Sequence, residues 1–191
     1  MASKIRLIVG LGNLGSEYAE TRHNAGFWFI DAISKKYGLK LQLEKKFFGL
    51  IGKIGNDILL LEPQTFMNIS GKSVLAVASF YRILPHQILV VHDELDFEPG
   101  IIKLKQGGGD GGHNGLRDID KVIGKDYWRL RLGIGHPGDK NKVADYVLKK
   151  PSTDDLIDIN NAIDKGLSVL DLILSDNSED FNMAMKKLHT R

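Results

Sequence analysis

Ile88-Leu89-Val90-Val91-His92-Asp93 is the stretch that decides the architecture. Four apolar residues follow one another with no polar alternation, so the strand they form is covered on both faces, and it ends on a polar pair. Ile5 to Val9 reads the same way and ends at Gly10. Strands buried on both sides belong to sheets carrying helices on both faces, which are mostly parallel. Between the two runs, Phe48 to Ile54 and Asp57 to Leu61 flank Gly55-Asn56, a compact turn signal that predicts an antiparallel hairpin. The sheet is therefore expected to be mixed.

Outward from these strands, Ile101 to Lys105 and Trp128 to Ile134 alternate large apolar with basic or small residues, the period of half-buried strands. Helices are predicted over roughly 24–37 with Asn24 as cap, over 70–82 behind Asn68 or Ser70, and briefly after Asn114. Leu156, Ile159, Ile163, Leu167 and Leu170 recur at helical spacing opposite a run of aspartates, and a second helix is expected from Glu179 to Leu188. The prediction is one α/β domain over residues 1–191. Its largely parallel, twisted sheet is flanked by helices, with amphipathic helices at the C-terminal end.

A chain of 191 residues with 42% hydrophobic side chains can build one sizeable core. The formal net charge is only +2, but it is unevenly spread: 11 basic and 6 acidic residues fall in 101–150 (net +5), against 4 and 8 in 151–191 (net −4). With no cysteine, a disulfide framework, a thiolate nucleophile and any thiolate-held metal are excluded. The apolar run Leu7 to Val9 is too short for a signal peptide, and nothing approaches the ~20 apolar residues of a membrane span. A cytoplasmic protein without a membrane partner is expected.

Familiar motifs fit poorly. Gly10-Leu11-Gly12-Asn13-Leu14-Gly15 matches the dinucleotide fingerprint after a strand, yet no helix starts at once to meet a pyrophosphate and no acidic residue ends a following strand about 20 positions on. Phe66-Met67-Asn68-Ile69-Ser70-Gly71-Lys72-Ser73 ends like a phosphate-binding loop but has Phe66 where the first glycine belongs. Gly71-Lys72-Ser73-Val74-Leu75 lacks the last glycine of a nucleophile elbow. The six histidines show no ligand spacing, so no metal is predicted. His92 reads equally as a core histidine.

Position is more telling. Asn13, Asn68, Asp93 and His113-Asn114 each follow a predicted strand, and open α/β sheets bind ligands beyond the carboxyl ends of their strands. Together they suggest one polar pocket, with His23 as general base, Asp93 orienting it, and amides stabilising an oxyanion around an attacking water. Capping asparagines and solvated carboxylates account equally well for each residue taken singly. The glycine-dense stretch from Gln106 to Gly115 reads as a loop able to move or approach a ligand closely. Beside it, Lys103 with Lys105 and Arg129 with Arg131 would align as a basic stripe suited to RNA phosphates, with Lys140 and Lys142 adding charge.

Six blocks in order carry a resemblance: Gly10-Leu11-Gly12-Asn13, Thr21-Arg22-His23-Asn24-Ala25-Gly26, Phe66-Met67-Asn68-Ile69-Ser70-Gly71, His92-Asp93-Glu94-Leu95-Asp96, Gly111-Gly112-His113-Asn114-Gly115 and Arg131-Leu132-Gly133-Ile134-Gly135-His136-Pro137-Gly138. Together they resemble the bacterial peptidyl-tRNA hydrolases over nearly the whole chain, weakening in the C-terminal helices. The resemblance implies a metal-independent, cofactor-free esterase of translation that frees tRNA from peptides after ribosomes stall. It implies His23 as the base, Asp93 as its orienter, and Asn13, Asn68 and Asn114 as holders of peptide, terminal ribose and attacked carbonyl. Tyr18, Met67 and His113 would line the crevice, and Lys103, Lys105, Arg131 and Lys142 would meet tRNA phosphates. The partner would be peptidyl-tRNA and the protein a monomer.

The chain departs from the family at Leu14, where proline commonly follows the asparagine. This is expected to loosen the turn that aims Asn13. Asp110 places a negative charge in the glycine loop. A non-catalytic RNA-binding module and a nucleotide-dependent enzyme using Gly10 to Gly15 are the competing readings.

Overall fold

In the computed structural model, which describes residues 4–190, seven strands form one sheet: β1 (Leu7–Gly10), β2 (Gln42–Glu44), β3 (Gly49–Ile54), β4 (Ile58–Pro63), β5 (Ile88–Glu94), β6 (Ile102–Gln106) and β7 (Trp128–Gly133). Their order is β2-β3-β4-β1-β5-β7-β6. The central four run parallel, with Leu7 opposite Leu59 and Ile88, and Asp93 opposite Leu132. Both flanks are antiparallel. The predicted hairpin is β3–β4, turning at Gly55 with φ 61°.

Alternate residues of the continuous apolar runs serve different cores. Ile8, Leu60, Leu89 and Val91 face α1 (Ala25–Tyr37) and the C-terminal helices α5 (Thr153–Ser168), α6 (Leu170–Ile173) and α7 (Ser178–His189). Leu7, Val9, Leu59, Leu61, Ile88 and Val90 face α2 (Ser70–Tyr81) and α3 (Asn114–Ile123). A short helix α4 (Val143–Val147) precedes α5. Both faces are therefore covered, as the runs require. No helix among the described residues is long and apolar enough to cross a membrane.

Two glycines bring α1 down onto the strand ends. A β-carbon at Gly10 would sit 2.3 Å from the Gly26 carbonyl oxygen, and one at Gly26 would sit 2.4 Å from both the Leu11 nitrogen and the Val91 oxygen. Backbone packs on backbone there, which sets the one-turn helix Arg22–Asn24 over the end of β5. Of the dinucleotide-like glycines, Gly10 serves this close approach and Gly12 makes room for the Phe27 ring of α1.

Three expectations about helix ends change. Asn24 does not cap α1, and neither Asn68 nor Ser70 caps α2; the Gly71 N–H at the start of α2 donates to Asp118 Oδ2 of α3 at 2.7 Å. The amphipathic C-terminal run breaks at Val169 into α5 and α6, burying Ile159, Ile163 and Leu170 while Leu156 stays exposed. Side-chain caps come from His113 on α3, Ser152 on α5 and Asn177 on α7.

Candidate active site

Asp93 is the next-to-last residue of β5 and is buried, yet its carboxylate has two partners. Oδ2 accepts from His23 Nδ1 and Oδ1 accepts from His113 Nε2, each at 2.9 Å. The tautomers follow from proton counting. His113 caps α3, with Nδ1 accepting from the Gly115 and Leu116 amides at 3.1 and 3.4 Å, so its proton lies on Nε2. His23 holds its proton on Nδ1 toward the carboxylate, which leaves Nε2 with a free lone pair.

Electrostatics reinforce this assignment. Burial pulls the proton affinity of His23 down, but the Asp93 charge and hydrogen bond outweigh it, and the net shift is upward from 6.5. Asp93 feels a burial penalty too, and the two imidazoles overcome it, holding the carboxyl far below its usual range. His92, behind the site, is pulled down to about 3 by burial and by neighbouring His113, so it is neutral. Its Nδ1 donates to the Asp93 carbonyl oxygen at 2.8 Å.

Asn13, buried just after β1, is locked by residues far away in sequence. The Asn24 side chain accepts from the Asn13 N–H at 2.8 Å and donates to the Asn13 carbonyl oxygen at 3.0 Å, replacing a strand neighbour with a side-chain amide. Asn13 Oδ1 accepts from the Met67 N–H at 2.7 Å, so its own NH₂ group is left to face outward. Met67 is buried against Gly115, where a β-carbon would lie 2.6 Å from Sδ and 3.1 Å from the His113 ring. Leu14 does not loosen this turn: its N–H, which proline would lack, donates to the Thr65 carbonyl oxygen at 3.3 Å.

The structure brings His23, Asp93, His113 and Asn114 together around a crevice of about 250 Å³, with Asn13 and Met67 in the adjoining wall. Asn68 and Asn114 are exposed, and Tyr18 packs edge-on to Phe66 with ring centroids 6.4 Å apart. Lys140 lines the crevice, whereas Lys142 lies outside it, exposed. His23, Asp93 and His113 are the described groups whose spacing could hold a metal ion. They do not fit one as they stand: N–H protons occupy the space between ligand atoms, and His113 has its remaining lone pair committed to α3.

The family model for peptidyl-tRNA hydrolase matches residues 7–191. The chain belongs to the peptidyl-tRNA hydrolase family. It is 53% identical to the peptidyl-tRNA hydrolase of Proteus mirabilis (strain HI4320) over 193 residues, covering 98% of each chain. The solved peptidyl-tRNA hydrolase of Acinetobacter baumannii superimposes with a TM-score of 0.94 at 50% identity, covering 100% of this chain and 97% of that one.

On this peptidyl-tRNA hydrolase fold the basic stripe is shorter than predicted. Cross-strand pairing does set Lys103 opposite Arg131 and Lys105 opposite Arg129. Arg129, however, is only 2% exposed and donates to the Gly109 and Gly108 carbonyl oxygens at 2.7 and 3.0 Å while lying 3.4 Å from Asp120. It pins the glycine loop from beneath instead of facing a ligand. Lys103 and Arg131 both lie against the Phe97 ring, 4.9 and 4.8 Å from its centroid, and Arg131 is 3.6 Å from Glu94. Asp110 ties the loop to itself by accepting from the Gly112 N–H at 2.8 Å. Sequence reasoning missed Asn24 and Arg129; the one signal for Asn24 was its adjacency to His23.

Proposed function

We propose that this member of the family cleaves peptidyl-tRNA by a water molecule that His23 Nε2 deprotonates. The water oxygen bonds to the ester carbonyl carbon, its proton passes to His23, and the carbon–oxygen bond to the terminal ribose breaks. The imidazolium then returns the proton to the ribose oxygen, giving a free peptide acid and tRNA. The observation that carries this reading is Asp93 bonded to two imidazoles, because the arrangement leaves a single basic lone pair on His23, buried beside the crevice. Hydrolysis of peptidyl-tRNA is the activity of the family to which the chain belongs.

The asparagines divide the substrate between them in this reading. The outward NH₂ of Asn13 holds the peptide, and exposed Asn68 and Asn114 hold the terminal ribose and the attacked carbonyl, whose developing charge amide donors stabilise. Lys103 and Arg131 are like charges directly opposed on one sheet face, and Glu94 at 3.6 Å from Arg131 offsets only one of the two. RNA phosphates meet the remaining positive charge, with Lys105 and Lys142 extending the surface. In this reading the enzyme acts in the cytoplasm, where its tRNA substrate is made, and as a monomer, since one chain supplies the groups of the reaction.

The test is release of tRNA from N-acetyl-aminoacyl-tRNA with a chelator present, for the parent and for His23→Ala. Fast release by the parent and loss of ~10² to 10⁴-fold in the variant is expected. Equal rates in the two would remove His23 from the chemistry.

A further inference from the structure

On the flank of the sheet opposite the basic strands lies a groove of about 450 Å³ that the reaction above does not use. Leu14, Leu43, Phe48, Phe66 and Ile69 line it and are 42%, 57%, 38%, 52% and 44% exposed, so the chain keeps five large apolar side chains in one wet place. Such a patch marks a binding surface. Phe48 is held at φ 53°, a left-handed backbone that disfavours a side chain with a β-carbon, and its carbonyl oxygen accepts from the Gln64 N–H at 2.7 Å. Thr65, also in the wall, has a buried hydroxyl with no partner. An orphan hydroxyl beside apolar walls is what an extended peptide, with backbone amides and alternating side chains, would satisfy.

Continuity with the catalytic crevice decides the occupant. Leu14 follows Asn13 by one residue, about 3.8 Å along the chain. It is tied to Thr65 through its N–H, and Phe66 precedes Met67, which Asn13 holds. The sheet order puts the RNA-facing strands β7 and β6 on one side of β1 and β5, and the groove beside β3 and β4 on the other. A substrate whose ester sits over β5 and whose RNA runs toward β6 sends its peptide toward the groove. The geometry points to the groove as the subsite for apolar side chains of the peptide residues preceding the esterified one, with Leu14 and Phe48 as its specificity-determining walls. The assignment rests on peptidyl-tRNA as the substrate.

The test uses two N-acetyl-dipeptidyl-tRNAs that share the tRNA and the esterified residue and differ in a penultimate leucine or glycine. The parent, Leu14→Ser and Phe48→Gly are compared. Serine keeps the N–H that reaches Thr65, and glycine relaxes the left-handed backbone, so both variants fold. Half-burying a leucine side chain predicts a kcat/KM about five- to tenfold higher for the leucine substrate in the parent. Each variant brings that ratio near one while hydrolysing the glycine substrate at the parental rate. A parent that cleaves both substrates equally overturns the subsite and leaves the activity standing. A preference that survives in both variants, or equal slowing on both substrates, overturns the role of these walls. A parent that cleaves neither substrate overturns the substrate reading itself, and the subsite with it.

Discussion

Replacing Asp93 with asparagine tests the proton inventory of the site directly. The carboxylate accepts two N–H bonds at 2.9 Å, whereas an amide of the same shape offers one oxygen and one NH₂. His113 cannot adapt, because its Nδ1 is held as an acceptor by the α3 amides and its Nε2 must donate. The amide oxygen therefore turns to His113 and its NH₂ to His23. His23 must then present Nδ1 as the acceptor and carry its proton on Nε2, where the attacking water needs a lone pair. The comparable change in Ser-His-Asp hydrolases costs about 10⁴-fold in kcat, and a loss of ~10³ to 10⁴-fold is expected here, with the fold intact because no buried charge is stranded. Adding His113→Ser keeps an N-cap on α3 but removes the fixed donor, so the amide is free to rotate its oxygen toward His23. The double variant should recover roughly ten- to a hundredfold over Asp93→Asn alone. Single-turnover release of tRNA measures the rates, and imidazole ¹⁵N shifts report which His23 nitrogen is protonated. A double variant no faster than Asp93→Asn would refute the tautomer argument.

Four further outcomes follow from the same geometry. Because the folded pKa of His23 is raised and its neutral form is the base, kcat/KM should climb with pH and level off only above that pKa; the stability drawn from its charged form is complete below about 6.5 and disappears over the same rise, so thermal unfolding and activity should slope in opposite directions. Asn24→Ala strands a buried donor and acceptor of Asn13, and denaturant unfolding should show a loss of about 1–3 kcal/mol along with reduced activity. Arg129→Met leaves two loop carbonyls without their donor and the Asp120 carboxylate with the Tyr127 hydroxyl but no cation, for a loss of about 3–5 kcal/mol in the same measurement, while the salt dependence of tRNA binding stays parental. Lys105→Ala should do the reverse, leaving stability within about 0.5 kcal/mol and lowering the slope of log K against log salt by about 1.

The legible parts of this fold are those whose signal is local. Ile88 to Val91 is apolar without a break because odd and even residues feed separate cores, and that pattern is visible in one dimension. Asp93 and Asn13 stood out because the residues at strand ends are few and polar, whereas His23 sits on the one-turn helix Arg22–Asn24 and its place beside Asp93 is set by the fold. Arg129 was not legible: period-two alternation puts it on the face of Arg131, and only the loop folded back over β7 makes one a buried anchor and the other a surface charge. Asn24 was read as a cap because caps are local, while its actual partner is the main chain of Asn13, eleven residues earlier across the fold. Leu14 was misread for the same reason, since its N–H finds an acceptor on a different loop.

The second imidazole explains why a carboxylate survives at the end of a central strand. A buried aspartate with one neutral donor would rise in pKa and lose the charge that makes His23 basic. His113 supplies the second donor, and its other nitrogen is fixed by the first turn of α3, whose start follows directly on the glycine loop. Arg129 holds that loop at Gly108 and Gly109, and Asp118 of α3 holds the first turn of α2 just beyond Asn68. Undocking the loop and the start of α3 would therefore withdraw a donor from Asp93, lower the proton affinity of His23 and release Asn114 from its place at once. The anchored loop and the activation of the base are one structural unit, and this is why the glycine-rich segment carries an anchor from below.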